Sequence, residues 1–186
     1  MRIIGGKLKG KAISFIKSSS TRPLKDSVKE NIFNIINHSH LLKINLKNSN
    51  VLDLYSGIGS FGLECASRDA KKITFVEENK NVVKVLEENL YKLKIDNSIV
   101  ITDKIVNFLN LNLSEKFEII FLDPPFAKKD YLYELKIIEK KKIYRNKHIV
   151  IIHREKNSIN DWEEVINPLI VKVYGRSKII FGRFLN

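Results

Sequence analysis

The sequence predicts an α/β fold: a mostly parallel sheet covered by helices on both faces, with its final strand reversed. Three observations predict it. A short apolar run at residues 51–54 leads into Gly57, Gly59 and Gly62 in the pattern G-x-G-x-x-G, which reads as a strand, a tight turn and the start of a helix. Beyond that turn, apolar runs alternate with stretches of helical periodicity, the rhythm of buried parallel strands and their crossover helices. Residues 169–174 and 178–184 are separated only by Gly175, Arg176 and Ser177, a gap that forces a hairpin and so an antiparallel last strand.

Taken in order, residues 1–16 carry Ile3, Ile4, Leu8, Ile13, Phe15 and Ile16 around Gly5, Gly6 and Gly10, which predicts a short glycine-turned hairpin studded with lysines. Such a ribbon suits phosphate contacts, or equally a sheet edge that lysine protects from aggregation. After a turn-rich stretch that includes Arg22, Ser27 and Glu30 form a capping box, and Val28, Ile32, Ile35 and Ile36 recur at helical spacing to about His38. His38 and His40 lack companions at metal-ligand spacing and are read as helix-end residues. Strands are expected at residues 51–54, 72–77, 98–102, 117–122 and 148–152 before the terminal hairpin, and helices at 61–68, 79–93, 104–109 and 130–141. The lysines at 140–142 read as a solvated helix end, with auxiliary phosphate binding as the alternative. Trp162 and residues 156–168 are expected to be a connection packed on the sheet.

The chain's 186 residues fit one domain of ordinary size, with residues 1–40 as a basic extension and 41–186 as the α/β unit. Cys65 is the sole cysteine, which excludes internal disulfides and a cysteine-based zinc site. No apolar run approaches the roughly 20 residues that span a bilayer. The basic N-terminus lacks the apolar core of a secretory signal, so a cytoplasmic location is expected. Lys and Arg total 33 against 21 Asp and Glu, a net charge of +12 that favours a polyanionic partner. Residues 1–30 hold eight cations, among them Arg2, Lys7, Lys9, Lys11 and Arg22, and only two acids, so the N-terminus is the expected contact for nucleic acid.

Two constellations carry chemistry. Glu77, twenty residues beyond Gly57, ends an apolar run where an acid can accept both hydroxyls of a ribose, so a nucleoside-containing cofactor is expected. Asp123-Pro124-Pro125-Phe126 follows the fourth strand, at the sheet edge where ligands sit. Its carboxylate and the Pro124 carbonyl can accept the two N–H groups of a planar exocyclic amine, while the Phe126 ring stacks on the base and excludes water.

The segments VLDLYSGIGSFGLE, FVEENK, ITD and FLDPPF, in this order and spacing, resemble the S-adenosylmethionine-dependent amino-methyltransferases that act on nucleic-acid bases. MRIIGGKLKGK and TRPLKDSVKENIFNII narrow the resemblance to the RsmD family, the 16S rRNA guanine-N2 methyltransferases, over nearly the whole chain. The resemblance implies the Rossmann-like class I methyltransferase fold, a seven-stranded sheet with its last strand antiparallel. It implies S-adenosylmethionine as methyl donor, with no metal, and 16S rRNA, within a small-subunit particle, as partner. Asp53, Ser56, Gly57 and Gly59 are then expected around the methionine part and backbone of the cofactor, Glu77 at the ribose and Asp103 at the adenine amine. Asp123, Pro124 and Phe126 are expected to bind the target guanine, and Arg2, Lys7, Lys9, Lys11 and Arg22 the RNA. Leu122 departs from the asparagine of many members.

Other readings share parts of this pattern. A nicotinamide dehydrogenase fits the glycine turn but leaves Asp123 to Phe126 without a role. Adenine N6 of DNA or a protein glutamine fits the same methyl donor, and a basic RNA-binding assembly factor fits the charge alone. No Ser, His and Asp form a recognisable nucleophilic triad, and His153 is read as a strand-end residue.

Overall fold

The computed structural model describes residues 1–16, 24–125 and 131–185. Seven strands form one sheet: β1 (Asn50–Leu54), β2 (Lys72–Val76), β3 (Ser98–Ile101), β4 (Phe117–Leu122), β5 (Tyr144–Glu155), β6 (Ile166–Tyr174) and β7 (Ser177–Phe184). Their order is β3-β2-β1-β4-β5-β7-β6. The first five run parallel, and β7 is antiparallel to both β5 and β6. This is the fold class expected from the sequence.

Alternation along the strands divides the core between two layers. Val51, Ile73, Phe75, Ile119, Phe121, Ile149, Ile151, Ile179 and Phe181 face α1 (Asp26–His38), α2 (Ser60–Ser67) and α3 (Lys80–Leu93). Leu52, Leu54, Val76, Ile120, Leu122, Val150, Ile152 and Ile180 face α4 (Ile105–Asn110) and α5 (Tyr131–Lys141). With both faces covered, the central strands β1, β2 and β4 are buried nearly throughout, and in β1 all five residues are buried. The outermost strand, β6, behaves differently. It carries Pro168 and a register shift between Pro168 and Ile170, both tolerated where one edge needs no partner.

Trp162 finds its place in a 3₁₀ turn, Asp161–Glu164, where it is 1% exposed and plugs the α4/α5 face between β5 and β6. Lys141 at the end of α5 donates to the Leu109 carbonyl at 2.8 Å, so this cation serves the last turn of α4.

The N-terminal hairpin is short: Arg2 bridges Ala12, the Ile3 N–H donates to the Lys11 carbonyl and the Ile13 N–H to the Met1 carbonyl, both at 2.9 Å, and the tip folds into a 3₁₀ turn, Gly6–Leu8. That turn is pinned to the end of α2, where the Leu8 N–H donates to Ser67 Oγ at 2.9 Å and Ser67 Oγ donates to the Gly5 carbonyl at 2.6 Å. The Ser27–Glu30 capping box does not form. Helix α1 starts at Asp26, with Lys25 as a cap that makes no side-chain bond, so Ser27 lies inside the first turn. Asp26 instead meets buried Lys29 at 3.5 Å. Among the described residues no helix is long and apolar enough to cross a membrane.

Candidate active site

Parallel register brings the strand ends into one row. Leu54 pairs with both Val76 and Leu122, and Leu122 with Ile152, so the residues that follow, Tyr55, Glu77, Asp123 and His153, stand side by side at the carboxyl edge. They line a cleft of about 720 Å³, within the range of small-molecule sites. Of the residues singled out from the sequence, Asp53, Ser56, Gly57, Glu77, Asp103, Asp123 and Pro124 line it. Phe126 and Arg22 lie outside the described residues.

The glycine turn shapes the wall between β1 and α2. Gly57 and Gly59 have φ of +55° and +85°, a region that side chains with a Cβ rarely adopt. A Cβ on Gly57 would meet nothing within 4 Å, whereas one on Gly59 would lie 2.5 Å from Leu86 Cδ1. The first glycine therefore borders open space in the cleft and the second is packed on α3. Tyr55 also takes a positive φ, +57°, and its hydroxyl donates to buried Glu134 at 2.6 Å, which holds the ring against the cleft.

Carboxylates dominate the electrostatics. Asp53 is 1% exposed; its Oδ2 accepts the Gly62 N–H at 2.9 Å, while Oδ1 has no partner among the described residues. Burial pushes its carboxyl well above the ordinary carboxylate range, the Gly62 bond opposes the shift, and the charges of Asp123 and Glu77 add to it. Glu77 accepts the Gly57 N–H at 3.0 Å and the Asn79 N–H at 2.9 Å, bracing the turn while keeping lone pairs toward the cleft. Asp103 accepts from the Lys104 N–H at 2.7 Å and Asn107 Nδ2 at 2.8 Å. With Glu78 and Asp123 the described lining holds five acids and neither lysine nor arginine, in a protein of net charge +12.

This arrangement suits one kind of small ligand. Asp53 Oδ1, Ser56 Oγ and Ser60 Oγ are buried, line the cleft and find no partner among the described residues, so they await a polar ligand. A ligand with ammonium and sulfonium charges and a ribose relieves the acid repulsion and satisfies these groups. A dinucleotide pyrophosphate would meet carboxylates beside the N–H groups that would hold it, and their charge would repel it. Among the described residues no group of three or more His, Cys, Asp or Glu is placed to hold a metal ion.

The N-terminal segment completes the wall in a way the sequence did not announce. Phe15 and Ile16 line the cleft together with Leu24, and Phe15 is 46% exposed. The segment is held beside them by Asn89 of α3, whose Oδ1 accepts the Ser14 N–H at 2.8 Å and whose Nδ2 donates to the Ser14 carbonyl at 3.0 Å. An exposed aromatic among lysines was the only signal. The basic residues Arg2, Lys7, Lys9 and Lys11 are exposed, but Lys7 pairs with Asp69 at 3.6 Å, beyond the end of α2 that lies away from the cleft. His153 is a second residue missed: its Nδ1 lies 2.8 Å from Asp123 Oδ1.

A family model described as conserved hypothetical protein 95 matches residues 1–183. The ribosomal RNA small subunit methyltransferase D of Buchnera aphidicola subsp. Baizongia pistaciae is 31% identical over 100% of this chain and 92% of its own length. The Haemophilus influenzae protein of the same name is 38% identical over 68% of this chain and 64% of its own. The solved structure of yhhF from Escherichia coli superposes with a TM-score of 0.84 at 26% identity, covering 100% of this chain and 99% of that one.

Proposed function

Since this chain belongs to the RsmD family of small-subunit ribosomal RNA methyltransferases, we propose that it methylates the exocyclic N2 of a guanine in 16S rRNA. The observation that carries the reading is the acidic cleft with its unpartnered buried oxygens, bordered by Asp123 and Pro124 at one end. S-adenosylmethionine, when bound, supplies a methyl group on a cationic sulfonium, already electrophilic. Asp53, Ser56 and Gly57 hold its amino-acid part, Glu77 its ribose and Asp103 its adenine.

What remains for the protein is positioning and exclusion of water. Asp123 and the Pro124 carbonyl each accept one N–H of the guanine amine, which orients the nitrogen toward the cleft. Asp123 takes up the proton that the nitrogen sheds. The base enters unpaired or flipped from its stack, because an edge locked in a helix cannot reach a cleft between strand ends. Phe126 stacks on it. Arg2, Lys7, Lys9, Lys11 and Arg22 hold phosphates of the RNA.

The test is incubation of the purified protein with radiolabelled S-adenosylmethionine and small ribosomal subunits from a host lacking the family enzyme, followed by nucleoside analysis. Label in N2-methylguanosine is expected. Absence of label in RNA, with cofactor binding demonstrated, would overturn the reading in favour of DNA adenine or protein glutamine.

A further inference from the structure

His153 stands one residue past the last pair of the β4–β5 ladder, Leu122 with Ile152, and so directly beside Asp123. Its side chain is 9% exposed, lines the cleft and is held at both ring nitrogens: Nδ1 is 2.8 Å from Asp123 Oδ1 and Nε2 is 2.9 Å from Ser177 Oγ on β7. A carboxylate oxygen accepts, so the Nδ1 that faces Asp123 Oδ1 is the nitrogen that carries a proton, and in the neutral ring Nε2 then accepts from the Ser177 hydroxyl. Arg154, the next residue of β5, points to the opposite face of the sheet. There its guanidinium stacks on Tyr131 at 4.4 Å and donates to the Pro125 carbonyl at 3.4 Å. Consecutive residues of one strand thus grip both ends of Asp123-Pro124-Pro125.

We propose that His153 is a positioning residue for Asp123, a role that rests on the reaction proposed above. Rotation of a carboxylate about its last torsion is broad and two-fold, so an Asp at a strand end does not by itself aim an oxygen. The Nδ1–H occupies Oδ1 and leaves Oδ2 for one N–H of the base, with the Pro124 carbonyl set for the other. Ser177 fixes the far side of the ring, so the donor is anchored from β7 across β5 to the end of β4. Loss of this anchor loosens the approach of the amine while leaving the cofactor wall, built from β1, β2 and α2, in place. Misplacement of a reacting group by about 1 Å costs on the order of 10²-fold in rate.

Two measurements decide the matter. Nitrogen-15 spectra of the imidazoles in the free protein should show His153 as the Nδ1–H tautomer, reverting to Nε2–H in Asp123→Ala; an Nε2–H tautomer in the unaltered protein overturns the proposal whatever the substrate. In turnover on small subunits, His153→Ala should lower kcat roughly 10²-fold with cofactor Kd unchanged. His153→Asn, whose amide reaches the place of Nδ1, should recover most of the loss. His153→Gln, whose amide reaches only the place of Nε2, should not. Full activity in the alanine variant, or Asn no better than Gln, overturns the positioning role. An inactive unaltered protein overturns instead the reading of the substrate on which that role rests.

Discussion

The carboxylate of Glu64 accepts the backbone N–H of Ile4 at 2.9 Å, joining the middle of α2 to a segment sixty residues earlier in the chain. Neither Glu64 nor its neighbour Lys29 exposes any side chain to solvent. Arg68 pairs with the other carboxylate oxygen at 2.9 Å, and Lys29 donates to the Arg2 carbonyl at 2.8 Å while lying 3.9 Å from Glu64. Burial lowers the Lys29 pKa and the charges of Glu64 and Asp26 oppose that shift, so the pair holds only while both members are present.

Lys29→Met is therefore expected to leave Glu64 with Arg68 as its remaining counter-charge and to free the Arg2 carbonyl. Removing one member of a buried ion pair costs about 3–5 kcal/mol, to be read in urea unfolding. Limited proteolysis should cut the N-terminal segment sooner in the variant. Unchanged stability with an unchanged digestion pattern would show that the network contributes little.

Asp53 predicts a pH dependence. Its folded pKa lies above the ordinary carboxylate value, so over the window between the two the folded protein holds a proton that the unfolded chain has lost. Its contribution to stability consequently declines as pH rises through that window. Asp53→Asn, which can still accept from Gly62, should flatten the decline, raise the melting temperature of the cofactor-free protein at neutral pH and weaken S-adenosylmethionine binding. Thermal scans between about pH 5 and 8 check the first two effects and calorimetry the third.

The two turn glycines should separate folding from binding. Gly59→Ala forces a Cβ to within 2.5 Å of Leu86 at a φ of +85°, and a loss of about 1–3 kcal/mol is expected. Gly57→Ala meets no neighbour within 4 Å, so its folding cost is limited to backbone strain while a methyl group intrudes on the cleft. Denaturation and cofactor titration of both variants should rank them in opposite orders.

Asp123→Ala is expected to abolish methyl transfer while leaving cofactor affinity within a few-fold, because Asp123 borders the cleft on β4 rather than on the wall formed by β1 and β2. Glu77→Ala should do the reverse in binding, since it also removes the acceptor for the Gly57 and Asn79 amides. Parallel binding and single-turnover measurements on the two variants test the division; an exchange of phenotypes would refute it.

Much of the fold was legible because its signals are local. Strands buried on both faces must be apolar throughout, and a three-residue gap leaves a chain no choice but to reverse. Cleft residues such as Asp53, Gly57, Glu77 and Asp123 were legible for a related reason: each sits within three residues of a strand end, and the parallel register aligns strand ends. What escaped depends on separations no local pattern encodes. His153 reaches Asp123 only through the β4–β5 register, and Phe15 reaches the cleft only because Asn89, seventy-five residues away, holds Ser14. Glu64 belonged to the most conspicuous stretch of the chain, yet its partner Ile4 could not be guessed. The capping box did not form because α1 already begins at Asp26, which places Ser27 inside the first turn instead of at its cap.

The position of β7 between β5 and β6 also bears on the order in which the sheet can close during folding. Until residues 177–184 have docked, β5 and β6 have no common partner, and each offers an unpaired backbone edge of the kind that invites aggregation or capture by a chaperone. The tight turn at Gly175 lets β7 fold back on β6 in microseconds, and the resulting ribbon can dock on β5 as a unit. A chain folded as far as β5 thus keeps an open edge until the ribbon docks, and a substitution that slows the Gly175 turn should lengthen that exposure.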